Sequence, residues 1–338
     1  MEKIRLGIIG LGNIGKLHLD NVLGGYCPSV EVSAICDIDE KKFTNYKADF
    51  NIGEVGADGY DFASFSLYTD LDEMLDREKL DFVDICAPTF LHAELSKKVL
   101  GCGIHVLCEK PMALSFSDCE EMIQASKNAG KELMIGQCLR FYPAFDYIKA
   151  VVDDKRFGKV IGGFFSRLSA PPTWGWENWF MNPERSGGCI TDLHVHDVDI
   201  IRYLFGEPEA VSCRASTSVC VNDTVHTSFY YGNTPITAIG DWSLFGFPFN
   251  ASCLIDFECA TVTYGAALTV YPKNGEKPYD VELADVSGYQ GEIDYFCDVI
   301  EGKIKNHKNP ASSAATTIRL IERMRESVSE GGKILSFR

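Results

Sequence analysis

The sequence predicts an α/β protein of two domains: a doubly wound parallel sheet over residues 1–137, then an α/β domain with a mostly antiparallel sheet over residues 138–338. Three observations carry this reading. The chain has 338 residues, more than the roughly 250–300 at which a single core stops growing. From Ile4 to Gly136 short apolar runs alternate with amphipathic stretches, as in a parallel sheet covered on both faces. Beyond Gln137 the apolar runs follow one another across turns with no long crossover helix, as in antiparallel pairing.

The first run, "IRLGIIG" (4–10), passes into Gly10-Leu11-Gly12-Asn13-Ile14-Gly15 and a helix over about 14–24. This G-x-G-x-x-G closes a strand and opens a helix. Gly10 permits the tight turn, Gly12 lets a pyrophosphate approach the backbone, and Gly15 lets helix and strand pack closely. The free amides of the helix N-terminus then face the phosphates. The second run, "VEVSAICD" (30–37), ends in Asp37, where this fingerprint expects an acid to hold a ribose hydroxyl. With Asp39 following, two carboxylates oppose a 2′-phosphate, so the expected cofactor is NAD rather than NADP. Helices are expected over 70–77, 91–101 and 115–129, and strands in "FVDICAP" (82–88), "IHVLCEKP" (104–111) and "ELMIGQ" (132–137). Lys110, in Glu109-Lys110-Pro111, stands at the carboxyl end of its strand, where ligands bind in such folds.

In the second half, "CLRFYPAFDYIKAVVDD" reads as a connecting helix after a proline turn. Strand-like stretches occupy about 160–290, and "YQGEIDYFCDVIEG" and "PASSAATTIRLIERMRESVSEGG" read as closing helices. The stretch "GGCITDLHVHDVDIIRYLFGEP" predicts a helix over 192–205. On a 100° wheel, Asp192, His196, Asp199 and Tyr203 share one sector, while His194 points away with Ile201 and Phe205. Two divergent rings argue against a metal pair, and no metal is expected. "PPTWGWENWF" supplies Trp174, Trp176, Asn178 and Trp179, aromatic surface and an amide suited to a sugar ring.

The net charge of −16 and the lack of a basic patch argue against nucleic acid and anionic membranes as partners. The glycine-broken N-terminal run lacks the features of a signal peptide or membrane span, so a cytoplasmic location is expected. Thirteen cysteines without a C-x-x-C pair read as buried thiols in a reducing compartment.

Taken together, "GLGNIG", "CAPTFLHAELSKKVLGCGIHVLCEKP" and "SGGCITDLHVHDVDIIRYLFG" resemble the glucose-fructose oxidoreductase and inositol dehydrogenase family (Gfo/Idh/MocA), over nearly the whole chain. The resemblance implies a Rossmann domain joined to an α/β domain whose open, mostly antiparallel sheet forms the interface of a homodimer or homotetramer. It implies cofactor contacts from Gly10, Gly12, Asn13, Ile14, Gly15, Asp37, Pro88, Thr89, His92, Glu109 and Lys110. It also implies a catalytic set of Lys110, Asp192 and His196; the aromatic segment reads as placing Trp174 and Trp176 beside the substrate. His194 stands where relatives carry a small or apolar residue, which leaves its role open.

The activity expected on these grounds is NAD-dependent oxidation of a secondary hydroxyl on a sugar or cyclic polyol. His196 would serve as base, Lys110 would stabilise alkoxide character, and Asp192 would orient the hydroxyl and tune the histidine. Only Arg185 and Arg140 are available near this wall to clamp a phosphate, which favours a neutral ring over a nucleotide sugar. The same motifs would also serve an NAD-dependent glycoside hydrolase or a non-catalytic NAD-binding regulator.

Overall fold

The computed structural model describes residues 3–44, 48–50, 53–55 and 60–337. The chain divides into two compact units: Met1–Cys138 with Ser287–Ala315, and Leu139–Val286 with Thr316–Arg338. The return of 287–315 to the first unit departs from the expected division, which kept everything after 137 in the second domain.

The first unit begins β1 (Ile4–Ile9), α1 (Asn13–Leu23), β2 (Val30–Cys36), β3 (Ala48–Phe50), β4 (Gly53–Val55), β5 (Ser66–Tyr68), α2 (Leu71–Arg77). It continues β6 (Phe82–Ile85), α3 (His92–Gly101), β7 (His105–Glu109), α4 (Phe116–Ala129), β8 (Leu133–Gly136). Six strands form a sheet in the order β5-β2-β1-β6-β7-β8, every neighbouring pair parallel. The order reverses between β1 and β6, the switch point at which such sheets open a ligand crevice beyond the strand ends. The strands are buried on both faces, and all four residues of β6 are inaccessible. That explains their near-continuous apolar sequence and makes Asp84, in the middle of β6, an anomaly. The three-residue β5 was too short to stand out from its surroundings.

The second unit runs α5 (Pro143–Asp154), β9 (Val160–Leu168), α6 (Pro183–Ser186), α7 (Cys189–Asp192), α8 (Val195–Phe205), β10 (Ala210–Ser216), β11 (Thr224–Tyr231). Next come β12 (Thr234–Asp241), β13 (Asn250–Phe257), β14 (Ala260–Tyr264), β15 (Leu268–Pro272) and β16 (Tyr279–Asp280). The chain then forms α9 (Gly288–Ile300) in the first unit, α10 (Ala311–Ser329), and β17 (Leu335–Ser336) at the edge of the second sheet. That sheet has the order β16-β15-β14-β13-β9-β12-β11-β10-β17. All its pairs are antiparallel except β9 with β12. Alternate residues such as Phe165, Val225, Phe229, Ala238 and Ile255 face inward and are buried, the half-covered pattern of an antiparallel sheet. On α8, Phe205 meets Phe165 edge to face, with ring centroids 6.3 Å apart.

The helix expected over 192–205 is two helices. His194 N–H bonds the Cys189 carbonyl five residues back at 2.9 Å, a widened turn between the end of α7 and the start of α8. It shifts Asp192 out of the wheel register that would align it with His196, Asp199 and Tyr203. Among the described residues no helix is long and apolar enough to cross a membrane. All thirteen cysteines are free thiols, most of them buried, with Cys102 and Cys259 exposed.

Candidate active site

The glycine turn sits between β1 and α1. Gly10 has φ +89°, and a Cβ there would lie 2.7 Å from the Cys86 carbonyl oxygen at the end of β6. A Cβ on Gly15 would lie 2.0 Å from the Gly10 oxygen, whereas one on Gly12 would meet nothing within 4 Å. So Gly10 and Gly15 are fixed by the protein's own backbone, and Gly12 leaves open space in front of the helix. Gly12 is the N-cap of α1, no side chain caps that end, and the first turn carries no acid. By contrast α4 is capped by Ser115 and α2 by Asp70. An uncapped helix N-terminus behind an empty cradle suits a phosphate. Asn13 and Ile14 open the helix and are partly exposed.

Asp37 follows β2 and is tied to the same turn. Its Oδ2 accepts the Leu11 N–H at 2.7 Å, and its Oδ1 accepts the Asp39 N–H at 2.9 Å. Each oxygen retains a second lone pair, so the carboxylate is aimed and still able to accept ribose hydroxyls. These residues fit a dinucleotide.

After β6, Pro88 is partly exposed and Thr89 is buried. His92 does not present its ring as the family motif implied. It is 1% exposed, with Nδ1 2.7 Å from the Pro111 carbonyl and Nε2 2.8 Å from that of Ala87. The ring ties the β6 loop to the β7 loop. Glu109 is likewise turned inward: it is buried, and its Oε2 accepts the Lys110 N–H at 3.1 Å. Lys110 itself is half-exposed at the carboxyl end of β7.

In the second unit, Asp192 ends α7 and is 7% exposed. His196 is the second residue of α8 and is half-buried. The lower part of the expected polar wall is structural. Asp199 is 1% exposed and is gripped by Arg140, whose Nε and Nη2 each donate at 2.7 Å, and by the Thr317 hydroxyl at 2.8 Å. Tyr203 lies under the Arg140 guanidinium, 5.1 Å from ring centroid to Cζ. Buried to 1% exposure and enclosed by Arg140 and Thr317, Asp199 is out of reach of a substrate and leaves the site. Arg140 is neutralised in the same way, and Arg185 pairs with Glu177 at 2.9 Å.

His194 has a structural role. It is buried, with Nε2 3.0 Å from the Thr227 hydroxyl. A Cβ on Gly240 would come within 2.9 Å of its Nδ1. Burial, with the charge of Arg167 behind it, pulls its pKa down to about 3, so the ring stays neutral. The segment around the tryptophans departs from ordinary backbone: Glu177 and Asn178 have φ +48° and +53°, a region that non-glycine residues rarely adopt. Trp174 is half-buried against Phe180, and Trp176 is 41% exposed beneath Arg185. Trp179 stacks on Phe180 with centroids 4.0 Å apart, and Asn178 is exposed.

Sequence reasoning missed a buried group in the first unit: His18, Asp84 and Glu292, which join Glu109. The available signal was Asp84, the single charged residue in the apolar run "FVDICAP"; Glu292, one of three acids on α9, carried none.

Residues 4–137 match the model of an oxidoreductase family with an NAD-binding Rossmann fold, and residues 145–248 match the GFO/IDH/MocA C-terminal domain. Myo-inositol 2-dehydrogenase of Thermotoga maritima is 30% identical over 66% of this chain and 60% of its own length. Inositol 2-dehydrogenase of Rhizobium meliloti is 27% identical over 85% of this chain and 80% of its own. The match spans about three-fifths of the length of the first curated relatives. A solved oxidoreductase from Agrobacterium radiobacter, in complex with NAD+, L-tartaric acid and magnesium, superposes with a TM-score of 0.83 at 20% identity, covering 99% of this chain and 98% of that one. With both family models matched in order and the sheet topology that the first of them describes, the chain belongs to the GFO/IDH/MocA oxidoreductase family.

Proposed function

We propose that this chain is an NAD-dependent dehydrogenase that oxidises a secondary hydroxyl of a neutral sugar or cyclic polyol. The observation that carries the reading is the uncapped N-terminus of α1 behind the open side of Gly12, with Asp37 anchored to the same turn. The α1 amides would hold the phosphates of a dinucleotide and Asp37 its ribose hydroxyls, while Asp37 and Asp39 would repel a 2′-phosphate. NAD, when bound, supplies the hydride acceptor.

The rest falls to side chains. His196, half-buried on α8, takes the hydroxyl proton. Lys110 donates a hydrogen bond to the reacting oxygen and stabilises its growing negative charge. Asp192 orients the hydroxyl. Arg140 and Arg185 are both engaged by carboxylates, which supports an uncharged ring over a phosphorylated one. The names of the two inositol dehydrogenase relatives point the same way. The chain further assembles as a homo-oligomer through the outer face of its large sheet. There Phe164 and Leu254 lie opposite each other in register and are 41% and 40% exposed.

The test is a screen of NAD and NADP reduction against inositols, aldoses, sugar alcohols and nucleotide sugars. Turnover is expected with NAD on a neutral ring. His196→Ala and Lys110→Ala should each lower it by about 10²–10⁴-fold, the usual contribution of such groups, with NAD affinity and thermal stability nearly intact. Turnover confined to nucleotide sugars, or release of a free sugar without NADH, would refute the substrate reading.

A further inference from the structure

Four ionisable side chains from four elements of the first unit converge where water does not reach. His18 of α1, Asp84 of β6 and Glu292 of α9 are each 0% exposed, and Glu109 of β7 is 5% exposed. His18 Nδ1 lies 2.6 Å from Asp84 Oδ2. On its other side, His18 Nε2 lies 3.4 Å from Glu109 Oε1 and 3.7 Å from Glu292 Oε1. These three last atoms all lie within 4.8 Å of one another. Among the described residues, His18 Nε2, Glu109 Oε1 and both Glu292 oxygens have no hydrogen-bond partner.

Charge does not balance if every group ionises. Three carboxylates face one imidazole, which carries at most a single positive charge. Buried carboxylates a few ångströms apart cannot all stay charged, and acceptors facing acceptors lack a proton to share. One proton on Glu292 mends both faults: it removes a charge and supplies a donor among the bare oxygens. The imidazolium of His18 then donates from Nδ1 to Asp84 and from Nε2 toward Glu109. On the β8 side the cluster is closed by Gly136, where a Cβ would come within 2.8 Å of Glu109 Oε1.

We propose that Glu292 is protonated in the folded protein at neutral pH and shares its proton with Glu109, forming with His18 and Asp84 a buried proton-holding cluster that fixes the main chain of Lys110. The link to Lys110 is the hydrogen bond from its N–H to Glu109 Oε2. Glu292 and His18 are thus positioning residues. Their bearing on catalysis rests on the role proposed for Lys110, whereas the protonation does not.

The ionisable groups acting on Glu292 are His18 from α1, Asp84 from β6 and Glu109 from β7; behind them, Cys86 lies against His18 and Asp84, Cys108 lies beside Glu109, and Tyr289 of α9 packs on His18. Burial, then the charges of Glu109 and Asp84, push Glu292 well above the usual carboxylate range. Burial pulls His18 down, but Asp84 and Glu109 outweigh it and its net shift is upward. Burial also holds the Cys86 and Cys108 thiols far up, and so neutral.

The test is infrared spectroscopy of the whole purified protein, unlabelled and with ¹³C-glutamate, at pH 7 in H₂O and D₂O. A protonated-carboxyl C=O band that moves with the glutamate label and with deuterium is expected, and Glu292→Gln should lack it. Urea unfolding gives a second reading. A raised carboxyl pKa favours the fold at low pH and loses that contribution as pH rises through it. Glu292→Gln, which mimics the neutral acid, should therefore gain on the parent by up to about tenfold in the unfolding constant per pH unit above the ordinary glutamate range.

Glu292→Ala should lower kcat on the substrate that the screen identifies with little change in KM for NAD, and Glu292→Gln should restore it. If Glu292→Gln does not fold, the labelled parent alone decides the matter. Absence of the band at pH 7, or a stability gap that is flat with pH, would overturn the proposal. So would one tightly held divalent metal ion per chain in elemental analysis, which would show a cation where a proton is proposed. None of the spectroscopic or unfolding outcomes depends on the substrate, so their failure is distinguishable from failure of the dehydrogenase reading.

Discussion

Gly12 and Gly15 stand three residues apart and answer to opposite constraints. Gly15 has the Gly10 carbonyl 2.0 Å from where a Cβ would go, while Gly12 has open space. Gly15→Ala must push backbone from backbone and should cost about 1–3 kcal/mol or more, the range for overpacking. Gly12→Ala should change stability by no more than about 0.5 kcal/mol, as for an exposed site, and should weaken NAD binding. Urea unfolding and NAD titration of both variants check the pair. His194 makes a pH prediction of definite sign. Its folded pKa, about 3, lies below the unfolded value of about 6.5, so its contribution is fully present above pH 6.5 and is lost as pH falls toward 3. Each pH unit in that window should cost up to about 1.4 kcal/mol. In His194→Gln the slope of stability against pH between about 6 and 4 should fall by roughly one proton; an unchanged slope would show that other groups set the acid limit. The sequence placed His194 off the polar stripe, but its partner Thr227 on β11 lies 33 residues on and nothing local announces the bond.

The element that decides the second unit's polar interior is α8. Its first turns carry Asp197, paired with Arg167 of β9 at 3.1 Å, and Asp199, paired with Arg140. Both pairs are buried. Removing one member of a buried pair strands the other, so Arg140→Met should destabilise by about 3–5 kcal/mol, read by chemical denaturation. Arg140→Met with Asp199→Leu should recover most of the loss, because no charge is then left unpaired. A double variant as unstable as the single one would show that Thr317 or shape, not charge, dominates. This is also where legibility ends. The apolar periodicity of α8, the strand alternation and the glycine turn follow from local spacing, and all were readable from the sequence. Whether Asp199 faces a ligand or an arginine 59 residues earlier depends on tertiary pairing, and periodicity treats both alike. The widened turn at His194 is invisible for a similar reason: one extra residue in a hydrogen-bonded ring leaves no mark on composition. His92 and Glu109 stand in the right motif for cofactor contact, yet their side chains turn to carbonyls and to the buried cluster.

At the scale of the molecule, the first unit is not a continuous stretch of chain. Its sheet is built before residue 138, but α9 returns to cover it. Phe296 meets Phe82 edge to face at 5.6 Å, and both are fully buried with Ile293. Gln290 Nε2 donates to the Tyr26 carbonyl at 3.0 Å, and Asn309 Nδ2 to that of Ile135 at 2.6 Å. Burying Ile293 and Phe296 contributes about 1.5–3 kcal/mol each, against a total of about 5–15 kcal/mol for a typical domain. Losing α9 would also strip Glu292 from the cluster and expose the His18 side of the sheet. A chain ending at Cys138 should therefore fail to unfold cooperatively in calorimetry and should bind NAD poorly. The same segment joined by a flexible linker to 287–315 should regain a cooperative transition. If residues 1–138 alone melt cooperatively and bind NAD as tightly as the full chain, then α9 is a cover the parallel sheet does not need, and the first unit ends where its last strand does.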